Sequence, residues 1–418
     1  MKVKVYPGFA KGNVKIPPSK SILHRAIICA SLADGKSVIK NVNFSEDIKA
    51  TINAFKRLGV KIEKMDNALS ITGNGSLPFF GDENIDCKES GSTLRFLIPI
   101  LCNTKGITLS GKHSLLKRPL SIYEDIFSRE NILFEKEEDS IYIKGEIKPG
   151  NYKIPGNVSS QFISGLLFSL PLKDGNSKIE IIGDLESKKY VDLTIDVLKD
   201  FNINISKKAN IYFIQGNQVY KPTNYIVEVD YSQLAFFAVA GIINGDVKIS
   251  NASKNTLQPD SAIIDIIKKM GGKVFKERDS LRFVKSQTIG TKIDVSQCPD
   301  IGPILSILGG LSTGETEILN ANRLRIKETD RLKATTEILS VLGVRTRING
   351  DNYNIQGIEN YNKATVDSYN DHRMAMSSAV AALRADGPII IERAEAINKS
   401  YPNFFEDLQS LGIKIEYM

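Results

Sequence analysis

Apolar and polar positions alternate along this chain in an order that recurs six times. Each repeat opens with an almost wholly apolar run, such as 232–243 or 374–383, which predicts a helix buried on all sides. A short β-branched strand follows, and then a helix with only one apolar face, such as 47–58. Two further strands close the repeat, as at 60–62 and 69–71, so the pattern predicts an α/β fold.

The second helix of each repeat ends at a glycine or an asparagine. These residues suit the position because a helix commonly ends with one residue in the left-handed conformation. They are Gly59, Asn131, Asn202, Gly271, Gly343 and Gly412, which lie 72, 71, 69, 72 and 69 residues apart. A period of about 70 residues across the whole chain predicts six similar repeat units.

The length of the chain predicts two domains. A chain of 418 residues exceeds what one hydrophobic core usually supports, so we expect three repeats in each domain. The start of the chain holds a lone strand segment, which we expect to pair with the last repeat. The predicted domains are therefore 18–228 and 1–17 together with 229–418. Two crossings between them, near Pro17 and Glu228, favour closure on a ligand.

Composition narrows the classes of function. The formal net charge of +7 and the pI of 8.9 suit an anionic small molecule as well as nucleic acid, but lysine and arginine form no long block. Four cysteines without a C-x-x-C pair and three histidines do not predict a metal site. Because the first residues lack the apolar region of a signal peptide and no apolar run approaches membrane-spanning length, we expect a cytoplasmic protein.

Polar residues interrupt the apolar pattern mainly where helices begin. Serine and aspartate there can simply cap the helix, which accounts for Ser232 and for Asp371. Capping does not account for Lys20, Arg25 or Arg373, because the helix dipole disfavours cations at this end. Cations beside free backbone amides predict a bound anion, such as a phosphate or a carboxylate.

A charged run, 323–331, precedes the second helix of the fifth repeat. If this run is helical, Lys327 and Arg331 share one face with Glu328 beside them. A solvent-exposed charged face is the simplest interpretation. Because the run directly opens a helix, we favour a second set of anion-binding groups. Comparable polar segments precede the second helices at 117–119, 187–190 and 398–402.

Six of these motifs occur in one order across nearly the full length. They are Pro18-Ser19-Lys20-Ser21, Ser90-Gly91-Ser92-Thr93-Leu94-Arg95, Lys117-Arg118-Pro119, Val158-Ser159-Ser160-Gln161-Phe162, Ile326-Lys327-Glu328-Thr329-Asp330-Arg331 and Asn370-Asp371-His372-Arg373-Met374-Ala375-Met376. In this order they resemble the enolpyruvyl transferases, and most closely the EPSP synthase family. The resemblance implies two similar domains, each with three βαβαββ units around buried helices (an inside-out α/β barrel), and an active site in the cleft between them.

The resemblance also implies a reaction. Members of the family join the 5-hydroxyl of shikimate 3-phosphate to the central carbon of phosphoenolpyruvate, and the tetrahedral intermediate then eliminates phosphate. The reaction belongs to the shikimate pathway and uses no metal or cofactor. Several cations are needed to hold two phosphates and two carboxylates together, and the proton transfers need positioned acid and base groups. We expect a monomer whose partners are these two substrates, with no nucleic acid and no membrane.

The resemblance assigns site residues at the matching positions. Expected contacts of shikimate 3-phosphate, mainly in the N-terminal half, are Lys20, Ser21, Arg25 (on the carboxylate), Ser159, Ser160 and Ser187 (on the phosphate), Gln161, Asp300, Arg323 and Lys327. Expected contacts of phosphoenolpyruvate, mainly in the C-terminal half, are Lys20, Gly91, Arg118, Gln161, Arg331, Arg373 and Lys399. Expected catalytic residues are Lys20, Asp300 as a candidate base, Glu328 as the leading proton-transfer group, and His372 in support.

Two positions depart from the family pattern. Glu89 and Arg323 each stand where many members carry asparagine, which adds one charge of each sign near the expected substrates. The hydroxyl contact expected of Arg323 is therefore in doubt. Gly91 is retained, and in this family a glycine there leaves room for glyphosate, so inhibition by glyphosate is expected.

Two alternative functions remain. The UDP-N-acetylglucosamine enolpyruvyl transferases resemble this chain in fold and co-substrate, but they usually carry a reactive cysteine in a loop whose counterpart, 111–119, has none. The second alternative is a protein that binds nucleic-acid ends, because a ring of repeats could also surround a nucleic acid. It would need cations spread over an inner face, whereas here Asp300, Glu328 and Asp371 lie beside the cations in sequence.

Overall fold

In the computed structural model, which describes residues 1–75, 83–102, 105–252 and 256–418, the chain forms two compact units. The N-terminal-half unit is Pro18–Glu228, and the C-terminal-half unit combines Met1–Pro17 with Val229–Met418. Each unit encloses its own hydrophobic core. None of the helices in the described ranges is long and apolar enough to cross a membrane.

Helices and strands follow one another in the order expected for a repeat protein. The helices are α1 Lys20–Leu32, α2 Glu46–Arg57, α3 Gly91–Leu101, α4 His113–Leu116, α5 Ser121–Glu130, α6 Ser160–Ser169, α7 Lys188–Asp200, α8 Tyr231–Asn244, α9 Ala262–Lys269, α10 Gly302–Gly310, α11 Arg331–Val341, α12 His372–Ala382 and α13 Phe404–Ser410. Short 3₁₀ helices lie at Leu170–Leu172, Pro259–Ser261, Pro299–Ile301, Asn322–Ile326 and Ala394–Lys399.

The strands connect these helices within each repeat. They are β1 Lys2–Val5, β2 Ala10–Lys15, β3 Asp34–Lys40, β4 Lys61–Lys64, β5 Ala68–Asn74, β6 Glu83–Asp86, β7 Ile107–Ser110, β8 Leu133–Lys136, β9 Ser140–Lys144, β10 Asn151–Pro155, β11 Ser177–Ile182 and β12 Ile205–Lys208. The remaining strands are β13 Ile211–Ile214, β14 Asn224–Ile226, β15 Gly245–Ser250, β16 Lys273–Lys276, β17 Ser280–Val284, β18 Lys292–Asp294, β19 Glu315–Leu319, β20 Thr346–Asn349, β21 Asn352–Gln356, β22 Ala364–Asp367, β23 Ile389–Glu392 and β24 Ile415–Tyr417.

The described strands form six sheets of four strands, one for each repeat. In every sheet the first two strands are parallel and the other pairs are antiparallel. The N-terminal-half orders are β14-β3-β5-β4, β6-β7-β9-β8 and β10-β11-β13-β12, and the C-terminal-half orders are β2-β15-β17-β16, β18-β19-β21-β20 and β22-β23-β1-β24. The shared strand order confirms the prediction of six similar α/β units.

The inner helices are buried, as their apolar sequences predict. Residues 231–243 of α8 are all buried, and so is the whole of α12. Helices α8, α10 and α12 pack against one another in the C-terminal-half unit, and α3 packs against α6 in the other unit. The outer helices are amphipathic, and α2 for example buries Ile48, Ile52 and Phe55 on one side.

The six predicted helix ends all adopt the left-handed conformation. Their backbone φ angles are 78° at Gly59, 55° at Asn131, 67° at Asn202, 90° at Gly271, 90° at Gly343 and 88° at Gly412. The predicted helix ends are therefore confirmed, because glycine and asparagine adopt a positive φ at lower cost than most other residues.

Two details differ from the sequence-based expectations. The first 17 residues contain two strands, and although β1 pairs with the last repeat as expected, β2 pairs with β15 of the fourth repeat. Lys327 and Arg331 do not share a helix, because Lys327 is extended after a 3₁₀ turn and α11 begins only at Arg331. Asp330 causes this late start, since its carboxylate caps α11 by accepting a hydrogen bond from the Lys333 backbone amide.

Candidate active site

Lys20 opens the first inner helix, where a cation is electrostatically disfavoured. Its ammonium group donates a 2.6 Å hydrogen bond to Asp47 Oδ2, and both side chains are mostly buried. Asp47 lies in the first turn of α2, 27 residues further along the chain. The carboxylate stabilises the charged ammonium and limits the positions that the lysine side chain adopts.

Arg25 lies one turn further along α1 and is held on three sides. Its Nε donates to Thr194 Oγ1 at 2.8 Å, and its two Nη atoms donate to the carbonyl oxygens of Ser21 and Tyr190 at 2.6 and 3.2 Å. The guanidinium also lies over the Phe96 ring. Burial lowers the pKa of Arg25 to about 10, so the group remains cationic at neutral pH.

Gly91, Arg118 and Gln161 converge in the N-terminal-half unit. A Cβ atom at Gly91 would lie 2.8 Å from Arg118 Nη1 and 3.8 Å from Gln161 Oε1, which places both side chains against the glycine backbone. Gln161 is itself held from two sides, because Oε1 accepts from Arg95 Nη1 at 2.8 Å and Nε2 donates to Ser92 Oγ at 2.9 Å. Arg95 therefore links the starts of α3 and α6.

A buried chain of hydrogen bonds, from an imidazole through three hydroxyl groups, ties α1, α2 and α3 together. His24 Nδ1 lies 2.7 Å from Thr51 Oγ1, which lies 2.7 Å from Thr93 Oγ1. Thr93 Oγ1 in turn donates to Ser90, whose side chain caps α3. Burial and the nearby Lys20 lower the pKa of His24 well below its usual value, so the imidazole is neutral. This chain positions the residues around Gly91 without adding charge.

The predicted serines lie at helix starts of the third repeat. Ser159 caps α6 by accepting from the Gln161 backbone amide at 3.4 Å, and Ser160 is the first residue of that helix. Ser187 precedes α7, is fully buried and has a left-handed backbone with φ 52°. Such a conformation is uncommon for serine and is often associated with a functional constraint.

Arg331 contacts three carboxylates of the C-terminal-half unit. Its Nε and Nη2 contact the two carboxylate oxygens of Asp371 at 2.8 and 3.2 Å. Nη2 also donates to Glu328 at 2.6 Å, and Nη1 donates to Asp300 at 3.0 Å. Its side chain is only 1% exposed, and burial opposes its charge, but the three carboxylates outweigh burial and raise the pKa of Arg331.

Asp300 is shared by three cations. Lys327 Nζ and Arg331 Nη1 each lie 3.0 Å from Oδ1, and Arg373 Nη2 lies 3.3 Å from Oδ2. Burial opposes the charge of Asp300, but Arg373, Lys327 and Arg331 together hold the pKa of this carboxyl well below its usual range. Burial lowers the pKa of Lys327 to about 8, although Asp300 opposes the change. Lys327 thus titrates closer to neutrality than an ordinary lysine.

The last predicted motif contributes Arg373 from the start of α12. Its Nη2 donates to Ser232 Oγ at 3.0 Å, whereas its buried Nε and Nη1 have no hydrogen-bond partner among the described residues. His372 lies beside it, and its Nδ1 is 3.8 Å from Asp371 Oδ1, which is too long for a hydrogen bond. Lys399 donates to the Asn370 carbonyl oxygen at 2.5 Å.

The two departures from the family pattern have different surroundings. Glu89 lies 3.4 Å from Lys112 Nζ, so the extra carboxylate has a nearby cation. Arg323 is buried in the 3₁₀ turn before Lys327, and its charge contributes to the low pKa of Lys327.

The sequence missed several residues that hold the predicted ones in place. Asp47 pairs with Lys20, Arg95 orients Gln161, and Thr194 holds Arg25. Asp371 was expected only to cap a helix. It does cap α12, but it is also the bidentate partner of Arg331. Apart from the α12 cap, each of these contacts spans 27 residues or more along the chain, so only the tertiary structure reveals it.

Comparison with known proteins identifies the family to which this fold and these motifs belong. The family model for EPSP synthase (3-phosphoshikimate 1-carboxyvinyltransferase) matches residues 7–408. The chain belongs to the EPSP synthase family. Curated relatives named 3-phosphoshikimate 1-carboxyvinyltransferase include one from Clostridium kluyveri, 46% identical over 99% of this chain and 98% of that protein. Another, from Clostridium acetobutylicum, is 47% identical over 98% of this chain and 97% of its own length.

Solved structures agree with the family assignment. EPSP synthase from Acinetobacter baumannii covers 100% of both chains with a TM-score of 0.83 and 26% identity. The enolpyruvyl transferase NikO from Streptomyces tendae aligns over 100% of this chain and 98% of its own, with a TM-score of 0.82. Because the two sequences are only 16% identical, this likeness concerns the fold alone. The fold expected from the six motifs is therefore confirmed.

Proposed function

We infer that this chain transfers the enolpyruvyl group of phosphoenolpyruvate to the 5-hydroxyl of shikimate 3-phosphate and releases phosphate. Membership of the EPSP synthase family over residues 7–408 is the observation that carries this inference. The clusters of buried cations at helix starts in each unit support it, because both substrates are polyanions. This reaction is a step of the shikimate pathway, which leads to the aromatic amino acids.

We assign the residues of the N-terminal-half unit mainly to shikimate 3-phosphate. Arg25 is restrained on three sides, so a bidentate contact with the substrate carboxylate costs little additional side-chain entropy. The hydroxyl groups of Ser159, Ser160 and Ser187 suit the phosphate, since helix starts offer free amides beside them. Gln161 is oriented by Arg95 and suits the ring of the substrate.

Phosphoenolpyruvate is assigned mainly to arginines and lysines. Arg118 lies against Gly91, and Arg373 has two buried nitrogen donors, Nε and Nη1, with no hydrogen-bond partner among the described residues. Arg331 already contacts three carboxylates, so an anionic ligand there must compete with Glu328 or Asp300 for its donors. Lys399 and Lys20 complete the expected contacts. The full assignment to the two substrates is Lys20, Ser21, Arg25, Gly91, Arg118, Ser159, Ser160, Gln161, Ser187, Asp300, Arg323, Lys327, Arg331, Arg373 and Lys399.

The reaction proceeds by addition and then elimination. The 5-hydroxyl oxygen bonds to C2 of phosphoenolpyruvate, its proton passes to a base, and C3 accepts a proton to become a methyl group. A proton then leaves that methyl group as the C2–O bond to phosphate breaks. Glu328 is our candidate for the transfers at C3, with Lys20 assisting and His372 in support.

The surroundings of Asp300 restrict its role. A carboxylate with a pKa held well below its usual range is a weak general base, because proton transfer to it is unfavourable. It remains a strong hydrogen-bond acceptor and suits a ring hydroxyl of the substrate. Lys327, with a pKa of about 8 and 3.0 Å from Asp300, is able to exchange a proton near neutral pH. We therefore assign Asp300 to the orientation of a substrate hydroxyl, and its expected role as a base stays a prediction that its low pKa does not favour.

The function is tested by mixing the purified protein with shikimate 3-phosphate and phosphoenolpyruvate, without added metal, and measuring phosphate release. Release with this pair and none with UDP-N-acetylglucosamine plus phosphoenolpyruvate is expected. The opposite selectivity would refute the assignment and identify the alternative transferase. Binding of a nucleic-acid end without phosphate release would instead identify the third function.

Two matched pairs of variants test the residue roles. Lys20→Met and Glu328→Gln should each reduce turnover by more than about a hundredfold while the protein remains folded, because each removes a charge from a proposed transfer step. Lys49→Met on the exposed face of α2 and Glu359→Gln on the surface are the controls. Wild-type turnover in either site variant contradicts its assigned role.

A further inference from the structure

Ser232 stands at the second position of α8, where a serine usually acts as a cap. The capping group here is Asp230, whose Oδ1 accepts from the backbone amides of Ser232 and Gln233 at 2.8 and 3.2 Å. The Ser232 hydroxyl takes part in two other contacts. It donates to the same Asp230 oxygen at 2.6 Å and accepts from Arg373 Nη2 at 3.0 Å.

These contacts form a buried chain from a carboxylate through a hydroxyl to a guanidinium. Asp230, Ser232 and Arg373 are each at most 5% exposed, and Ser232 and Arg373 are 141 residues apart. Because the Ser232 proton is directed to Asp230, a lone pair of its oxygen remains directed at Arg373. Without the carboxylate, the hydroxyl would be free to rotate.

These contacts leave two nitrogen donors of the guanidinium available, and they point to different sides of the group. Nη2 is engaged by Ser232 and lies 3.3 Å from Asp300 Oδ2, whereas Nε and Nη1 are buried without a hydrogen-bond partner among the described residues. Buried donors of this kind are costly unless a ligand completes them. Since the guanidinium is planar, fixing Nη2 also determines the directions of the other N–H bonds.

We propose that Ser232 is a positioning residue: it orients Arg373 so that Arg373 can bind phosphoenolpyruvate. The proposal rests on the proposed function and adds a residue to which no role beyond capping was assigned. Ser232 does not touch the substrate in this account. It acts through Arg373, whose Nε–H and Nη1–H bonds are thereby held in fixed directions, each available to an anionic oxygen.

Ser232→Ala removes the hydroxyl but keeps the backbone amide that Asp230 caps. A hydrogen bond to a charged group is lost, so we expect KM for phosphoenolpyruvate to rise about tenfold. KM for shikimate 3-phosphate and kcat should change by less than about threefold, because ground-state and transition-state binding weaken together. Ser232→Thr retains the hydroxyl and should restore KM for phosphoenolpyruvate to within about threefold of the wild type.

Ser378→Ala is the matched control. Ser378 is also buried, on α12 with Arg373, but its hydroxyl has no hydrogen-bond partner among the described residues. This variant should leave both KM values unchanged. Asp230→Asn provides a second test, since an amide still accepts from the backbone but holds the Ser232 proton less firmly. A smaller rise in KM for phosphoenolpyruvate is expected.

The outcomes separate this proposal from the proposed function. If the wild-type protein releases phosphate but Ser232→Ala keeps a wild-type KM for phosphoenolpyruvate, the positioning role is wrong and the proposed function stands. An equal rise in both KM values, an equal effect of Ser378→Ala, or a threonine variant as impaired as alanine also overturns it. A wild-type protein that releases no phosphate overturns the proposed function itself.

Discussion

Gly91 allows a direct test of how closely the proposed phosphoenolpyruvate contacts are packed. In Gly91→Ala the new Cβ would lie 2.8 Å from Arg118 Nη1, whereas ordinary van der Waals contact begins at 3.4 Å. The guanidinium must therefore move by at least 3.4 − 2.8 = 0.6 Å. Arg118 is flexible enough to do so, and Gly91 is the first residue of α3, where alanine suits the helix.

The displacement should affect binding more than stability. A misplacement of about 1 Å at a reacting site can reduce the rate a hundredfold, so 0.6 Å should raise KM for phosphoenolpyruvate roughly tenfold, or about 1.4 kcal/mol. The melting temperature should change little, because no buried contact is lost. Steady-state phosphate release at varied phosphoenolpyruvate and saturating shikimate 3-phosphate measures the change.

Gly150→Ala is the matched control for this prediction. A Cβ there would meet nothing within 4 Å, so both KM values should remain unchanged. If Gly91→Ala binds phosphoenolpyruvate like the wild type, Arg118 does not contact that substrate. If both glycine variants are equally impaired, the loss has another origin than the displacement of Arg118.

Two further predictions concern the C-terminal-half unit. Asp371→Asn removes the buried charge that pairs with Arg331 and should lower the free energy of unfolding, measured by urea titration, by about 3 kcal/mol. The control Asp351→Asn changes an exposed residue and should have no measurable effect. A loss below about 1 kcal/mol in Asp371→Asn would contradict the pairing. Lys327 is cationic below its pKa of about 8 and neutral above it, so kcat/KM for shikimate 3-phosphate should fall as the pH rises through 8. Lys327→Arg should move that decline to higher pH, and an unmoved decline would assign it to another group.

The repeat was predictable because its signal is local. A helix end that needs a positive φ restricts the residue to glycine or asparagine, and six such positions at nearly constant spacing identify the units directly. The charged run at 323–331 had no comparable signal. Its periodicity suggested a helix through Lys327, but Asp330 is a strong cap and delays the helix to Arg331. Lys327 and Arg331 nevertheless meet at Asp300 through tertiary structure.

The sequence suggested candidate site residues by their types, and their roles stay predictions; the contacts between them could not be inferred. Motifs identified Lys20, Gln161 and Arg331, since cations and amides stand out against apolar helices. Their partners Asp47 and Arg95 could not be inferred, because pairing across repeats depends on how helices pack. Similarly, a serine at a helix start is explained by capping alone until the structure shows another residue in that role.

The strands at the beginning of the chain have a consequence for biosynthesis. The N-terminal-half unit completes its first sheet with β14, so its sheets can all form once residue 226 has been synthesised. By contrast, β1 pairs with β23 and β24, which come roughly 400 residues later. At typical rates of synthesis β1 therefore waits roughly 20 to 80 s for its partners. During that interval Val3 and Val5, which are buried in the finished protein, have no partner strand to pair with in their own sheet.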